Sequence, residues 1–228
     1  ISALAATDVP VAPVVGLCED EAVNGAPFYV MAFVDGLVAR DAAAAQALDV
    51  DARARAGDQI PDVLARIHAV DPDAVGLGDL GRREGYVERQ LKRWYGQWQK
   101  SRTRQLPVVD EVHDALAARV PEQGPAAIVH GDYRLDNCLL APDGTIAAVL
   151  DWELCTLGDP LADVGLLLVY WTEPGDRHPA LLDASTTLEG FPTRAAVIER
   201  YAAASGRDVS DVDYYVAFGY WKLACILE

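Results

Sequence analysis

Apolar positions in the first part of the chain fall in short runs rich in valine and aromatics, and later settle into stripes at helical spacing. Val11 to Cys18, "VAPVVGLC", and Pro27 to Val34, "PFYVMAFV", have strand character. Between them lies "EDEAVNGA", whose Asn24-Gly25 pair is a turn signal. The two runs predict an antiparallel hairpin, which needs a larger sheet to be stable. Strand character ends after Asp35-Gly36, and the alanine-rich stretch to Ala56 is helical in part. From Ile60 the pattern sharpens: Ile60, Val63, Leu64 and Ile67 make one stripe, with Pro61 tolerated near the helix start. After the loop "DPDAVGLGDLG", Val87, Leu91, Trp94 and Trp98 make a second stripe, and Val109, Val112 and Leu116 a third. Tryptophans at this spacing are core anchors more often than ligand platforms, so Trp94 and Trp98 are assigned to packing.

Strands return at Ala126 to Val129, Cys138 to Leu140 and Ile146 to Leu150, the last two joined by the turn "APDG". A turn centred near Asp143 pairs Leu139 with Ala147 or Ala148. Asn137 then lies opposite Leu150 and Asp151, so residues fourteen apart in sequence become neighbours. Ala162 to Trp171 is a nearly all-apolar, buried helix after the Gly158-Asp159-Pro160 corner. Thr193 caps a further helix that Gly206 ends. Ser210 and Asp213 imitate a capping box ahead of a last helix that carries Tyr214, Phe218 and Trp221 inward. The fold class is α+β: strand-like to about residue 36, then mainly helical with one inserted hairpin.

Composition narrows the function. The chain has 35 acidic and 19 basic residues, a formal charge of −16. With no basic block it lacks the field that draws nucleic acid or anionic lipid. Such acidity suits a cationic substrate, although its commoner role is to solvate a surface. Cys18, Cys138, Cys155 and Cys225 are scattered without metal-ligand spacing, which predicts reduced thiols and a cytoplasmic setting. The longest apolar run, "VGLLLVYW", is too short to span a bilayer, and the start has no secretory pattern. The chain opens without an initiator methionine and stops inside a helical pattern, as a part of something longer would.

"IVHGDYRLDNCLLAPDGTIAAVLDWE", Ile128 to Glu153, holds the candidate chemistry. Asn137 and Asp151 offer oxygen ligands suited to magnesium, whose shell polyphosphate oxygens would have to complete. Asp132, on the intervening loop, is placed to face an incoming hydroxyl and accept its proton late in the reaction. His-x-Asp alone carries little information. His130, Asp132, Asn137 and an aspartate ending the next strand together mark a phosphotransferase-type loop. A nuclease or metal hydrolase fits poorly, because basic phosphate-contacting stripes and ligands for a second metal are missing.

"HGDYRLDN" followed by "VLDWELCTLGDPLADVG" resembles the catalytic and metal-binding segments of the aminoglycoside phosphotransferase and choline kinase-like family. The nearest resemblance is to kinase-like domains associated with acyl-CoA dehydrogenases, which have a similar "HGDxRxDN" loop. It implies a protein kinase-like two-lobe fold, with an incomplete N-terminal β lobe at 1–36 and a mainly helical C-terminal lobe at 37–228. It implies ATP and Mg2+ as cofactors, Asp132 as catalytic aspartate, Asn137 and Asp151 as metal ligands, His130 as support for the loop backbone, and Asp163 as a brace beneath it. The segment "FYVMAFVDG" is similar to the last small-lobe strand and hinge, where Ala32, Phe33 and Val34 would meet adenine. "LARIHAVD", Leu64 to Asp71, resembles the helix before the large-lobe insert, with His68 in a packing or backbone role. Arg134 either contacts an anionic group or pairs with Asp136. Glu153 is near enough for the metal's outer shell, and Trp152 is expected in the core.

The resemblance also implies a small-molecule hydroxyl acceptor and an association with an acyl-CoA dehydrogenase, which tilts the acceptor toward a hydroxyacyl or other lipid-derived compound. The family's glycine-rich phosphate loop and phosphate-holding lysine have no counterpart here, and missing residues are the expected reason. The rival reading is a non-catalytic nucleotide- or partner-binding module.

Overall fold

A computed structural model of the chain describes residues 1–177 and 184–228. Strands β1 (Val14–Cys18) and β2 (Phe28–Met31) pair antiparallel, with Leu17 opposite Tyr29 and Cys18 opposite Phe28. Their connection is not a two-residue turn at Asn24-Gly25. Asp20 caps a short helix, α1 (Glu21–Asn24), by accepting from the Ala22 N–H at 2.9 Å, and Gly25 ends it at φ 78°. The segment is long enough to close on itself, and there the glycine serves as a left-handed C-cap. The β1–β2 pair stays two-stranded among the described residues, and Val15, Leu17 and Tyr29 are exposed on it.

Beyond the pair come β3 (Leu37–Val38), α2 (Ala42–Ala45) and α3 (Val50–Ala69). Helix α3 begins ten residues before the Ile60 stripe, because Asp49 supplies an N-cap, its carboxylate accepting from the Ala52 N–H at 2.7 Å. Alanines fill its first turns, and their high helix propensity needs no apolar stripe. Pro61 therefore lies inside the helix rather than near its start. It leaves the Gly57 carbonyl without its usual donor.

Helices α4 (Tyr86–Ser101) and α5 (Pro107–Ala117) follow. Val87, Leu91, Trp94 and Trp98 all turn inward as their spacing predicts. Strand β4 (Ala127–Val129) leads through the candidate loop to the hairpin β5 (Cys138–Leu140) and β6 (Ile146–Val149). Leu139 faces Ala148, and the Leu150 N–H donates to the Asn137 carbonyl at 2.8 Å, the adjacency expected from the turn. β3 joins the other edge of β5. Helix α3 cradles the hairpin: Gln59 accepts from the Ile146 N–H at 2.9 Å, and Arg55 donates to the Asp143 carbonyl at 3.0 Å.

Strand β7 (Thr156–Gly158) pairs with β4 and turns into the buried helix α6 (Leu161–Tyr170). Then come α7 (Arg194–Ser205), capped by Thr193 and ended by Gly206 at φ 66°, and α8 (Val212–Leu227). Asp211, not Ser210, is the N-cap of α8, and it makes no side-chain cap bond. Tyr215 takes the deeply buried place expected of Tyr214, which is only half-buried and donates its hydroxyl to the Leu116 carbonyl at 3.1 Å. Phe218 and Trp221 are buried as expected, so only the first aromatic of the stripe is displaced by one residue.

The whole is a mixed strand-and-helix N-terminal region on a mostly helical C-terminal region, the kinase-like two-lobe fold. One core joins α3, the β5–β6 hairpin, α6 and α7, and a second joins α4, α5 and α8. No helix among the described residues is long and apolar enough to cross a membrane.

Two glycines separate packing from propensity. A Cβ on Gly165 in α6 would sit 2.4 Å from the Tyr215 backbone of α8, whereas one on Gly96 in α4 would meet nothing within 4 Å. Urea unfolding should show Gly165→Ala destabilised by about 1–3 kcal/mol, and Gly96→Ala stabilised by about 1 kcal/mol. Equal effects at both positions would mean that α6 and α8 do not approach this closely.

Candidate active site

The loop between β4 and β5 contains tightly bonded backbone, and its anchor lies in the first turn of α6. The buried Asp163 carboxylate accepts the His130 N–H at 2.7 Å on Oδ2 and the Gly131 N–H at 2.8 Å on Oδ1. His68 of α3 approaches Oδ2 through Nε2 at 3.2 Å, while its Nδ1 lies 2.8 Å from the Tyr201 hydroxyl of α7. Burial, the largest influence, holds the His68 imidazole below its ordinary pKa despite the nearby carboxylate. A neutral ring fits the geometry, with Nε2–H donating to Asp163 and Nδ1 accepting from Tyr201. Burial also opposes ionisation of Asp163. The hydrogen bond from His68, aided by the Gly131 N–H, outweighs it and holds that carboxyl below its usual range.

His130 ties the loop to the hairpin. The Asp132 N–H donates to Nδ1 at 3.3 Å, so the proton sits on Nε2, which donates to the Leu150 carbonyl at 2.9 Å. The ring lies against Trp152, centroids 4.7 Å apart. Trp152 is half-buried rather than fully in the core, and its Nε1–H donates to the Val149 carbonyl at 2.9 Å. Gly131 adopts φ 86°, and a Cβ there would meet the Leu154 carbonyl at 2.8 Å. The loop therefore lies directly on the segment after β6.

The side chains of Asp132, Asn137 and Arg134 meet one another, and the hairpin brings the backbone before Asp151 against that of Asn137. The Asn137 amide donates from Nδ2 to the Asp132 carbonyl at 2.8 Å and to its carboxylate at 3.1 Å. Asn137 Oδ1 and the Asp151 carboxylate accept no hydrogen bond among the described residues. Asp151 follows Leu150 at φ 63°, ψ 56°, a left-handed conformation no other non-glycine residue adopts among those described. Arg134 Nε lies 3.1 Å from Asp136 and 3.5 Å from Asp132, and its guanidinium covers Tyr170 at 4.8 Å. This supplies the loop-bracing pair with Asp136. Glu153 is exposed on the turn after Asp151. Farther off, the Ala32 N–H already donates to the Pro13 carbonyl at 2.8 Å, while the Phe33 and Val34 backbone groups carry no hydrogen bond among the described residues.

One support escaped the sequence reading. Lys222 of α8 donates from Nζ to the Gly131 carbonyl at 3.0 Å, so the carbonyl and the N–H of Gly131 are both held from the helical side. Its signal was a single cation within the apolar run "FGYWKLACIL".

Comparison with known proteins is consistent across the chain. The family model described as "Phosphotransferase enzyme family" matches residues 1–212. Acyl-CoA dehydrogenase family member 10 of Mus musculus is 34% identical over all of this chain, which spans 22% of that protein. Acyl-CoA dehydrogenase family member 11 of Gallus gallus is 30% identical over 99% of the chain and 30% of its own length. The chain thus spans less than a third of these curated relatives. A Ralstonia eutropha crystal structure, provisionally assigned as an aminoglycoside phosphotransferase, superposes with a TM-score of 0.86 at 39% identity, covering 99% of this chain and 70% of that one.

The brace makes stability depend on pH. His68 and Asp163 both have lowered pKa values in the fold, so the unfolded chain takes up protons first as pH falls. Stability is then full above about 6.5 for the His68 contribution and above about 3.9 for Asp163, and declines below each. The free energy of urea unfolding should fall between pH 7 and 5. In His68→Gln it should start about 1–3 kcal/mol lower and fall less steeply. An unaltered slope would remove His68 from the linkage.

Proposed function

The chain belongs to the phosphotransferase enzyme family, and from that membership we propose an ATP-dependent kinase that moves the γ-phosphoryl group to a hydroxyl of a small molecule. The observation that carries this reading is the orientation of Asn137. Both of its donor contacts go to Asp132, so among the described residues its oxygen is left free for another use, as is the carboxylate of Asp151, whose neighbour Leu150 pairs with the Asn137 backbone. No group of three or more His, Cys, Asp or Glu side chains forms a metal cluster among the described residues. Two protein oxygens fit a hard ion whose shell phosphate oxygens complete, as magnesium with ATP requires. When bound, magnesium supplies charge stabilisation to the transferred group.

The rest falls to this chain's own groups. The acceptor oxygen bonds to the γ-phosphorus, the bond to the β,γ-bridging oxygen breaks, ADP leaves, and the hydroxyl proton passes to the Asp132 carboxylate. Asn137 and Arg134 orient that carboxylate, and His130 keeps the loop in register with Asp151. For adenine, Phe33 and Val34 have free backbone groups and Ala32 retains its carbonyl. The division at residue 36 between small-lobe and large-lobe portions belongs to this proposal. The names of the relatives support association with an acyl-CoA dehydrogenase and a hydroxyacyl acceptor. Four free cysteines accord with a cytoplasmic setting.

Two substitutions in the full-length protein divide the roles. Asp132→Asn should lower turnover of a phosphorylated acceptor by about 10²–10⁴-fold and keep nucleotide affinity. Asp151→Ala should abolish the magnesium-dependent part of ATP binding in calorimetry. Undiminished turnover in the first variant would remove Asp132 from catalysis, and unchanged binding in the second would remove Asp151 from the metal site.

A further inference from the structure

Beside the candidate loop, between α4, α8 and the turn after β6, lies a cleft of about 310 Å³. Gly131, the neighbour of Asp132, forms part of its wall. We infer that this cleft binds an oxyanion, phosphate or carboxylate, carried by the acceptor, and that Arg82, Arg89, Arg93 and Lys222 are the cations that take it.

The charge balance of the lining opposes that of the chain. Four cations converge there against one carboxylate, Glu153, in a protein with formal charge −16. Several arginines elsewhere are paired with acids: Arg55 with Asp143, Arg83 with Asp73, Arg200 with Asp58 and Asp62. None of the four cleft cations forms an ion pair with a carboxylate among the described residues.

They are held by other means. Arg89 donates to the backbone carbonyls of Arg82, at 2.6 Å, and Glu84. The Arg93 guanidinium lies 5.2 Å from the centre of the Trp94 ring, and Lys222 Nζ lies 5.4 Å from that same centre. Carbonyls and an aromatic face position a cation without neutralising it. Oriented cations without carboxylate partners lining one cleft focus a positive potential. Guanidinium groups match carboxylate and phosphate geometry in particular. The Asp163 and Asp132 carboxylates both act on Lys222 and temper this field there. A polycationic acceptor would meet repulsion at the wall nearest the catalytic carboxylate.

Naming the ligand as the acceptor rests on the phosphotransferase reading, but the charge preference of the cleft does not. The test therefore omits nucleotide and magnesium. Calorimetry would compare phenyl phosphate, benzoate and benzylamine, which share a ring and differ in charge, on the wild-type chain, Arg93→Gln and Lys92→Gln. Lys92 lies on the same helix but lines a different cleft, with Glu88 and His113. Arg93 makes no hydrogen bond to the backbone, so its replacement spares the anchoring that Arg89 provides, and an unchanged melting temperature verifies this. At least one anion should bind the wild type while benzylamine does not. Arg93→Gln should weaken that binding at least tenfold, and Lys92→Gln should alter it less than twofold. Binding of phenyl phosphate alone identifies a phosphate handle, and of benzoate alone a carboxylate. Binding of neither anion, equal binding of benzylamine, or indifference to Arg93→Gln would overturn the inference while leaving the kinase reading to its own experiments.

Discussion

A single buried carboxylate, Asp163, holds the candidate site in place. Burying a charge is unfavourable unless hydrogen bonds satisfy it, and here two backbone N–H groups and an imidazole do so. The donors come from two separate parts of the fold. The N–H groups belong to the loop that carries Asp132, and His68 belongs to α3, with Tyr201 of α7 behind it. The carboxylate itself sits in the first turn of α6, where the helix dipole favours negative charge. Removing it would leave two buried N–H groups unpaired, the more damaging side of a lost hydrogen bond. Packing of α3, α6 and α7 is thereby converted into the position of one loop.

The second constraint is the imidazole of His130, which fixes the distance between loop and hairpin. Its two nitrogens have opposite roles, one accepting from the Asp132 peptide and the other donating to Leu150. The next residue is Asp151 in its left-handed conformation. An aspartate tolerates that region better than most residues, but it persists only when its surroundings determine it. The β6 ladder on one side and Trp152, bonded to Val149 and packed on His130, on the other supply that determination. The conformation directs the Asp151 side chain independently of the strand before it.

These local features explain what was legible beforehand. The pairing of Leu139 with Ala148, and with it the adjacency of Asn137 and Leu150, follows from a four-residue turn with a glycine where the chain needs φ 86°. The stripes of α4 and α5 were legible because large residues recur at one spacing. The start of α3 was not, since alanines carry no periodicity and the signal was the single cap Asp49. The Tyr214 and Tyr215 exchange has a similar origin: adjacent tyrosines leave the phase of α8 ambiguous, and the hydrogen bond from Tyr215 to Asp159 at 2.5 Å decides it. The catalytic-loop candidates lie within about twenty residues, so their chemistry shows in the spacing alone. The cleft cations come from residues 82 to 93 and 222, and only folding brings them together.

Net charge says little about a single site for the same reason. A total of −16 suits a cationic substrate if every charge is weighted alike, but a field at a site weights each charge by proximity and screening. Most acids are solvated or paired with arginines remote from the loop, whereas the cations of α4 and α8 are close and lack carboxylate partners. Lys222 joins the two themes. Its ammonium lines the cleft and also donates to the carbonyl of Gly131, a residue whose N–H is held by Asp163. An anion that drew Lys222 toward itself would act on the peptide next to Asp132. The cleft proposed to take an anion is thus continuous, through Lys222, with the contacts that position the Asp132 carboxylate.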